Sequence, residues 1–175
     1  MFLREKLRWP DNSKVKYIME IIPIGTIHSP FSSLKGMPIQ PPGASGVKGT
    51  VEVLEDYADG LKDLDGFSHI ILLYQFHRSN GFKLKVVPFM DTVQRGVFAT
   101  RAPKRPNSIG LSIVRLEKVE GRILHIEGVD ILDGTPLIDI KPYVPDFDYQ
   151  ENASAGWQGN SQKTVTEKRS DDRFI

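Results

Sequence analysis

The sequence predicts a mainly β fold, a small closed β-barrel with few short helical turns and long functional loops. Between Ile18 and about Tyr143 the chain is a succession of short β-like runs punctuated by Gly and Pro, the pattern of a barrel or sandwich. No stretch keeps a helical apolar period for 12 or more residues. No Gly-x-Gly-x-x-Gly follows a strand and no Gly-Lys-Ser/Thr phosphate loop occurs, which argues against a doubly wound sheet that holds a dinucleotide.

Taken in order, residues 1–17 form a basic arm, with five basic and two acidic side chains and with Pro10 and Asn12 breaking any helix. A β-barrel domain is predicted over 18–147. Its strand-like runs are IIPIGTIHS, VKGTVEVLE, HIILLYQFH, KLKVVPF, GVFAT, LSIVRLEKV, RILHIEGVDI and PLIDIKPY. In LSIVRLEKV, Val114 and Leu116 alternate with Arg115 and Glu117, as a strand with one buried face requires. Gly36 to Gly46 holds six Gly or Pro among eleven residues, and proline gives no donor to a ladder, so this is a loop. The best helical candidate, Tyr57 to Leu64, is interrupted by Gly60. It lies in an acidic run, Glu52 to Asp65, predicted as a solvated face opposite a basic loop. Residues 148–175 read as a polar tail whose apolar anchors are Trp157, Val165, Phe174 and Ile175.

Composition narrows function. Lys plus Arg is 23 and Asp plus Glu 22, a net charge of +1, so bulk charge does not hold this chain on nucleic acid, although a local basic patch can. The absence of cysteine excludes disulfides, thiolate metal sites and a cysteine nucleophile. The longest apolar run, Ile70 to Tyr74, is far shorter than a membrane span of ~20 residues, and the N-terminus lacks the apolar core of a secretory signal. A soluble, cytoplasmic protein is expected.

Three clusters could carry chemistry. From Arg95 to Arg105 there are four basic residues and no acid, with Pro103 and Pro106 keeping the segment extended. Such a loop suits an anionic group, because guanidinium is a planar fork of donors; a solvated turn between strands explains the same charges. Asp130, Asp133 and Asp139 lie within ten residues. Asp133-Gly134 is a turn signal, yet paired carboxylates also serve ribose, amine, metal or proton transfer. His69 and His77 are eight apart, about 26 Å along a straight strand, too far to share a metal ion. No metal site is expected, and no Gly-x-Ser-x-Gly elbow is present.

The strings DGLKDLDGFSHIILLYQFH, GVFATRAPKRPNSIGLS and DILDGTPLIDIKPYVP, in that order, resemble the TsaA-like family over about Ile22 to Pro145. Characterised members are S-adenosylmethionine-dependent tRNA methyltransferases acting on N6 of threonylcarbamoyl-adenosine beside the anticodon. The resemblance implies a β-barrel working as a homodimer, with the methyl donor near the subunit interface. Carried over residue by residue, it implies cofactor binding by Pro38, Ile39, Gln40, Phe76, His77, Arg101, Leu111, Asp130, Ile131, Leu132 and Asp133.

In this reading Phe76 and Leu111 line an adenine slot, Arg101 pairs with the methionyl carboxylate, and Asp130 or Asp133 faces ribose or ammonium. Lys104, Arg105, Asn107, Lys141 and Tyr143 would meet RNA. The proton acceptor is expected to be Asp133 ahead of Asp130, or His77. Many members have Arg where Ile39 stands, and longer ones carry an additional C-terminal domain. Two other readings of the same residues stand beside the enzyme: a non-catalytic RNA-binding or S-adenosylmethionine-sensing module, and a metal-dependent hydrolase built on the Asp cluster.

Overall fold

The chain's computed structural model describes residues 20–159 and 166–174; the basic arm over 1–17, with Trp9, lies outside the described residues. Alternation of apolar and polar side chains sets the strands. In β6 (Ile109–Glu120) Gly110, Ser112, Val114 and Leu116 turn inward while Leu111, Ile113, Arg115 and Glu117 turn out. β3 (His69–Gln75) buries Ile70, Leu72 and Tyr74 by the same period. β1 (Gly25–His28), β2 (Lys48–Val53), β7 (Ile123–Glu127) and β8 (Thr135–Pro142) add Ile27, Val51, Val53, Leu124, Ile126 and Leu137 to one continuous core.

These six strands close into an antiparallel barrel in the order β1-β2-β7-β6-β3-β8, with β8 returning to pair with β1. The register shifts between Leu73 and Tyr74 of β3 and between Leu116 and Lys118 of β6, irregularities that bend strands and help a small sheet curl shut. The barrel fold expected from the sequence is therefore present.

Antiparallel closure also sorts the connections. The excursions 29–47, 76–108 and 128–134 leave from one end of the barrel, and the segment 54–68, the turn at Gly121–Arg122 and Tyr143 lie at the other. The acidic run thus sits at the mouth opposite the basic loop, where Arg122 pairs with Glu52 at 2.7 Å and Glu55 at 3.7 Å.

Several local expectations are corrected. KLKVVPF and GVFAT contribute only the two-residue strands β4 (Lys85–Val86) and β5 (Arg95–Gly96). Pro88 supplies no amide to a ladder, and Val97–Ala99 tightens into a 3-10 turn closed by the Thr100 amide and hydroxyl on the Val97 carbonyl. HIILLYQFH stops being strand at Gln75, because Phe76 to Ser79 turns. The helical candidate is a pair of 3-10 turns, Glu55–Leu61 and Leu64–Gly66, with Asp63 between them at a φ of 64°.

The C-terminal segment is exposed over 148–156 and docks at Phe174. Phe174 packs with Val86, Val97, Ala102 and Phe89 in a second apolar cluster, separate from the barrel core. A short helix α1 (Pro145–Asp148) leads out of β8 toward this segment.

Leu72 is fully buried in the barrel core. Leu72→Ala should cost about 2–5 kcal/mol, read as a lowered urea midpoint with little change in slope.

Candidate functional site

The three excursions at one mouth enclose a cavity of about 360 Å³, a size suited to a small molecule. Its floor is the end of the barrel interior. Tyr74, on the inward face of β3, meets Ser112 of β6 with the two hydroxyl oxygens 3.0 Å apart, and Ser112 donates to Asp130 Oδ1 at 2.7 Å. Since the Ser112 proton goes to Asp130, Tyr74 donates to Ser112, and a directed chain of hydrogen bonds ends on the carboxylate.

Burial dominates the electrostatics. It pushes the Asp130 carboxyl up to about 6, against the pull of the Ser112 bond and the Arg101 charge. Burial and the Asp130 charge also push the Tyr74 hydroxyl upward, so it keeps its proton at neutral pH. This floor needs a glycine across from it: a Cβ on Gly110 would lie 2.3 Å from the Tyr74 ring. Phe76 stands edge-on to Tyr74, with centroids 5.4 Å apart, and supplies an apolar wall together with Leu111 and Ile131.

On the loops, Arg101 Nη1 donates to Gln40 Oε1 at 3.0 Å. That bond joins the Gly/Pro-rich excursion to the basic one. His77 Nδ1 lies 3.4 Å from the Thr135 hydroxyl, which itself donates to the Leu132 carbonyl at 2.6 Å. With that proton committed, Nδ1 is assigned as donor and Nε2 as acceptor. Burial and the adjacent Arg78 charge lower the His77 pKa.

Of the residues singled out for the cofactor, Pro38, Ile39, Gln40, Phe76, His77, Arg101, Leu111, Asp130, Ile131 and Leu132 all line this cavity. Asp133 does not line it. Its Oδ1 accepts the Ser29 amide at 3.1 Å and faces His28 Nδ1 at 3.5 Å, while Gly134 takes the positive φ, 72°, that the turn demands. Asp133 closes a turn, and of the two carboxylates expected as proton acceptors only Asp130 lines the cavity.

The residues singled out for RNA are dispersed. Arg105 lines the cavity, but its Nη1 donates to the Val97 and Thr100 carbonyls and its guanidinium lies over Phe98. Lys104 donates to the Asn80 carbonyl, and Asn107 forms the tight turn before β6. Lys141 pairs with Asp139, and Tyr143 stands edge-on to His69, both at the far mouth. Strand direction carries them away: Lys141 lies opposite Ile71, whereas Leu137 lies opposite Tyr74.

Tyr74, Thr135, Trp157, Ser170 and Phe174 line the cavity as well, outside the set expected for the cofactor. Tyr74 and Thr135 turn inward on their strands, but inward residues of this kind read as ordinary core positions. Among the described residues no group of three or more His, Asp or Glu could hold a metal ion. A second hollow, about 560 Å³ at the acidic mouth, has Asp56, Asp63 and Asp139 on its walls with Lys62, a poor setting for an anionic ligand.

The desolvated Asp130 carboxylate has a measurable signature. With its folded pKa above the unfolded value of about 3.9, Asp130 holds its proton more tightly in the folded chain. Its contribution to stability is therefore fully present below about pH 4 and is lost as pH rises through about 6. Asp130→Asn keeps an acceptor for Ser112 and removes the buried charge. The difference in unfolding free energy between variant and parent should move toward the variant by on the order of 2–3 kcal/mol between pH 4 and 7, measured by urea denaturation. Gly110→Ala should displace the Tyr74 ring and cost about 1–3 kcal/mol, on the same assay.

Residues 26–149 match the tRNA-methyltransferase O N-terminal domain family. A Pyrococcus abyssi protein named as a probable S-adenosyl-L-methionine-binding protein is 55% identical over 153 residues, covering 87% of this chain and 83% of that one. The S-adenosyl-L-methionine-binding protein of Archaeoglobus fulgidus is 42% identical over 130 residues, covering 74% of this chain and 93% of its own. The crystal structure of TrmO from Pseudomonas aeruginosa superposes with a TM-score of 0.68 at 40% identity, covering 81% of this chain. This chain spans 63% of that TrmO chain and, at 40% identity, 32% of the mouse tRNA (adenine(37)-N6)-methyltransferase. Fold, cavity and sequence agree: the chain belongs to the tRNA-methyltransferase O N-terminal domain family.

Proposed function

We propose that this chain binds S-adenosylmethionine in the cavity at the loop mouth and methylates N6 of threonylcarbamoyl-adenosine next to the anticodon of a tRNA. One observation carries the reading beyond family membership. A half-buried carboxylate, Asp130, lines the floor of a cavity whose walls also hold Phe76, Leu111 and the Arg101–Gln40 pair. A molecule with an adenine, a sulfonium and an amino-acid end needs that combination: an apolar slot, an acceptor for positive groups and a cation for the carboxylate. Relatives named for S-adenosyl-L-methionine binding and for tRNA adenine methylation support it.

Bound there, S-adenosylmethionine supplies a methyl group activated on a sulfonium. Arg101 is placed to pair with the methionyl carboxylate, its orientation set by Gln40. Phe76 and Leu111 supply the slot for adenine, and Ile39 adds an apolar contact where many relatives carry Arg. The acceptor amine of adenine is a weak nucleophile because its lone pair is conjugated with the ring, so an acceptor for its proton helps. Asp130 takes that proton at its carboxylate, and the Tyr74–Ser112 chain holds the carboxylate in place. Neutral His77, with Nε2 free of the Thr135 contact, is the second acceptor within the cavity. Holding the amine in line at near-attack distance supplies several kcal/mol more.

The same reading makes the working unit a homodimer in the cytoplasm, where its RNA substrate is. Phe82, Leu84 and Phe98 stand exposed on the 76–108 excursion, apolar surface that a second copy would cover. No helix among the described residues is long and apolar enough to cross a membrane. Lys104 and Arg105, on the cavity side, are the cations of the RNA-facing set that stand nearest the acceptor, while Lys141 and Tyr143 at the far mouth would meet a more distant part of the tRNA.

Labelled S-adenosylmethionine incubated with threonylcarbamoylated tRNA should transfer its methyl to adenosine; saturable binding without transfer would make the chain a sensing module instead. Asp130→Asn should lower kcat about 10²–10⁴-fold. Activity of the parent should fall as pH drops below about 6, because the acceptor must be ionised, and the Asp130→Asn variant should lose that limb. An unchanged kcat for this variant would remove Asp130 from the mechanism.

A further inference from the structure

Beyond residue 149, where the family match ends, the described chain returns to the cavity. Ser170 forms antiparallel backbone bonds with the first excursion: its amide donates to the Met37 carbonyl at 2.9 Å, and its carbonyl accepts the Gly36 amide at 3.0 Å. Its hydroxyl donates to the Leu34 carbonyl and accepts the Met37 amide at 2.9 Å, and Arg169 bridges to Pro38. The next three positions, Pro38, Ile39 and Gln40, line the cavity.

The same segment grips the second excursion at three points. Trp157 Nε1 donates to the Ala99 carbonyl at 2.7 Å, two residues before Arg101, with the Arg95 guanidinium over the indole. Phe174 is buried against Val97 and Ala102. Arg173 donates to the Pro88 carbonyl at 2.7 Å and lies over Phe89.

We infer that the C-terminal segment, through Trp157, Ser170 and Phe174, is a strap that positions the Arg101–Gln40 pair and thereby sets affinity for the carboxylate end of the methyl donor. This rests on the reading of the cavity as the S-adenosylmethionine site. Two loops of a barrel, each free to move by itself, are held at a fixed spacing only by something that touches both. The Arg101–Gln40 bond spans them but is exposed, and an exposed polar bond orders long loops weakly. The strap adds buried apolar contact on one loop and a backbone ladder on the other, which lowers the ordering cost paid on binding. The floor is built differently: Tyr74 and Ser112 stand on barrel strands, Asp130 follows β7, and the three are hydrogen-bonded to one another.

The strap therefore governs donor binding more than chemistry. In the full chain, Ser170→Ala and Phe174→Ala should each weaken S-adenosylmethionine binding about tenfold, the effect of losing one or two well-formed contacts, measured by calorimetry. KM for the donor should rise in step, while kcat at saturating donor changes much less. Ser170→Thr, which keeps the hydroxyl, should restore affinity. The urea midpoint of the barrel should stay near the parent's, since the barrel core and the strap cluster share no residue. A donor affinity equal to the parent's in both Ala variants, or a loss that tracks global unfolding and is not restored by Ser170→Thr, overturns the strap. A parent chain that binds no S-adenosylmethionine overturns the cavity reading as well, so the two failures are told apart.

Discussion

Closure of the barrel by β8, which pairs with β3 on one edge and β1 on the other, is the constraint on which the rest depends. A closed antiparallel sheet leaves no edge to protect, and it dictates from which end each connection emerges. Once the seam is made, the excursions 29–47, 76–108 and 128–134 share a mouth. Gln40, Arg101 and Asp130, far apart in the chain, then line one cavity.

The barrel interior extends into that cavity, and this gives the floor its chemistry. Asp130 is partly withdrawn from water, and this desolvation raises its pKa to about 6; a carboxylate so placed is tolerable when bonded. Ser112 supplies the bond and Tyr74 backs it. The register that puts Tyr74 opposite Gly110 is what makes room for the ring. Stability is spent at this point on a group whose titration lies close to neutrality, the kind of perturbed carboxyl that clusters at functional sites.

Above the rigid floor the loops form a second layer with their own small apolar cluster, Val86, Val97, Ala102 and Phe174. The two clusters share no residue: Tyr74 and Ser112, which back Asp130, stand on barrel strands, whereas Arg101 and Gln40 sit on loops tied down from the C-terminal side. Function carried by loops on a stiff scaffold is a common division of labour in β folds.

The inward face of β6 was legible from alternation, as Val114 and Leu116 against Arg115 and Glu117 demonstrate; that of β3 was not, because Ile70 to Tyr74 is continuously apolar while every second residue turns inward. The Asp133-Gly134 turn and the loop character of 36–46 were legible too, because these depend on donor loss and allowed φ, both local properties. The short β4 and β5 were not, since β propensity in KLKVVPF and GVFAT yields to the loop packing around Val97 and Phe174.

Motif similarity named many of the cavity's lining residues and gave Asp130 and Asp133 together, and only the fold separated the one that lines the cavity from the one that closes a turn. Ser29, which takes the Asp133 carboxylate, is 104 residues away. Lys141 and Tyr143 were sent to the far mouth by the direction of β8, and Phe174 to the cavity by packing. By itself the sequence determined the turns, part of the strand pattern and a chemistry without cysteine; which carboxylate lines the cavity and which residues meet was decided by barrel register and closure, because those contacts join segments that no local pattern relates.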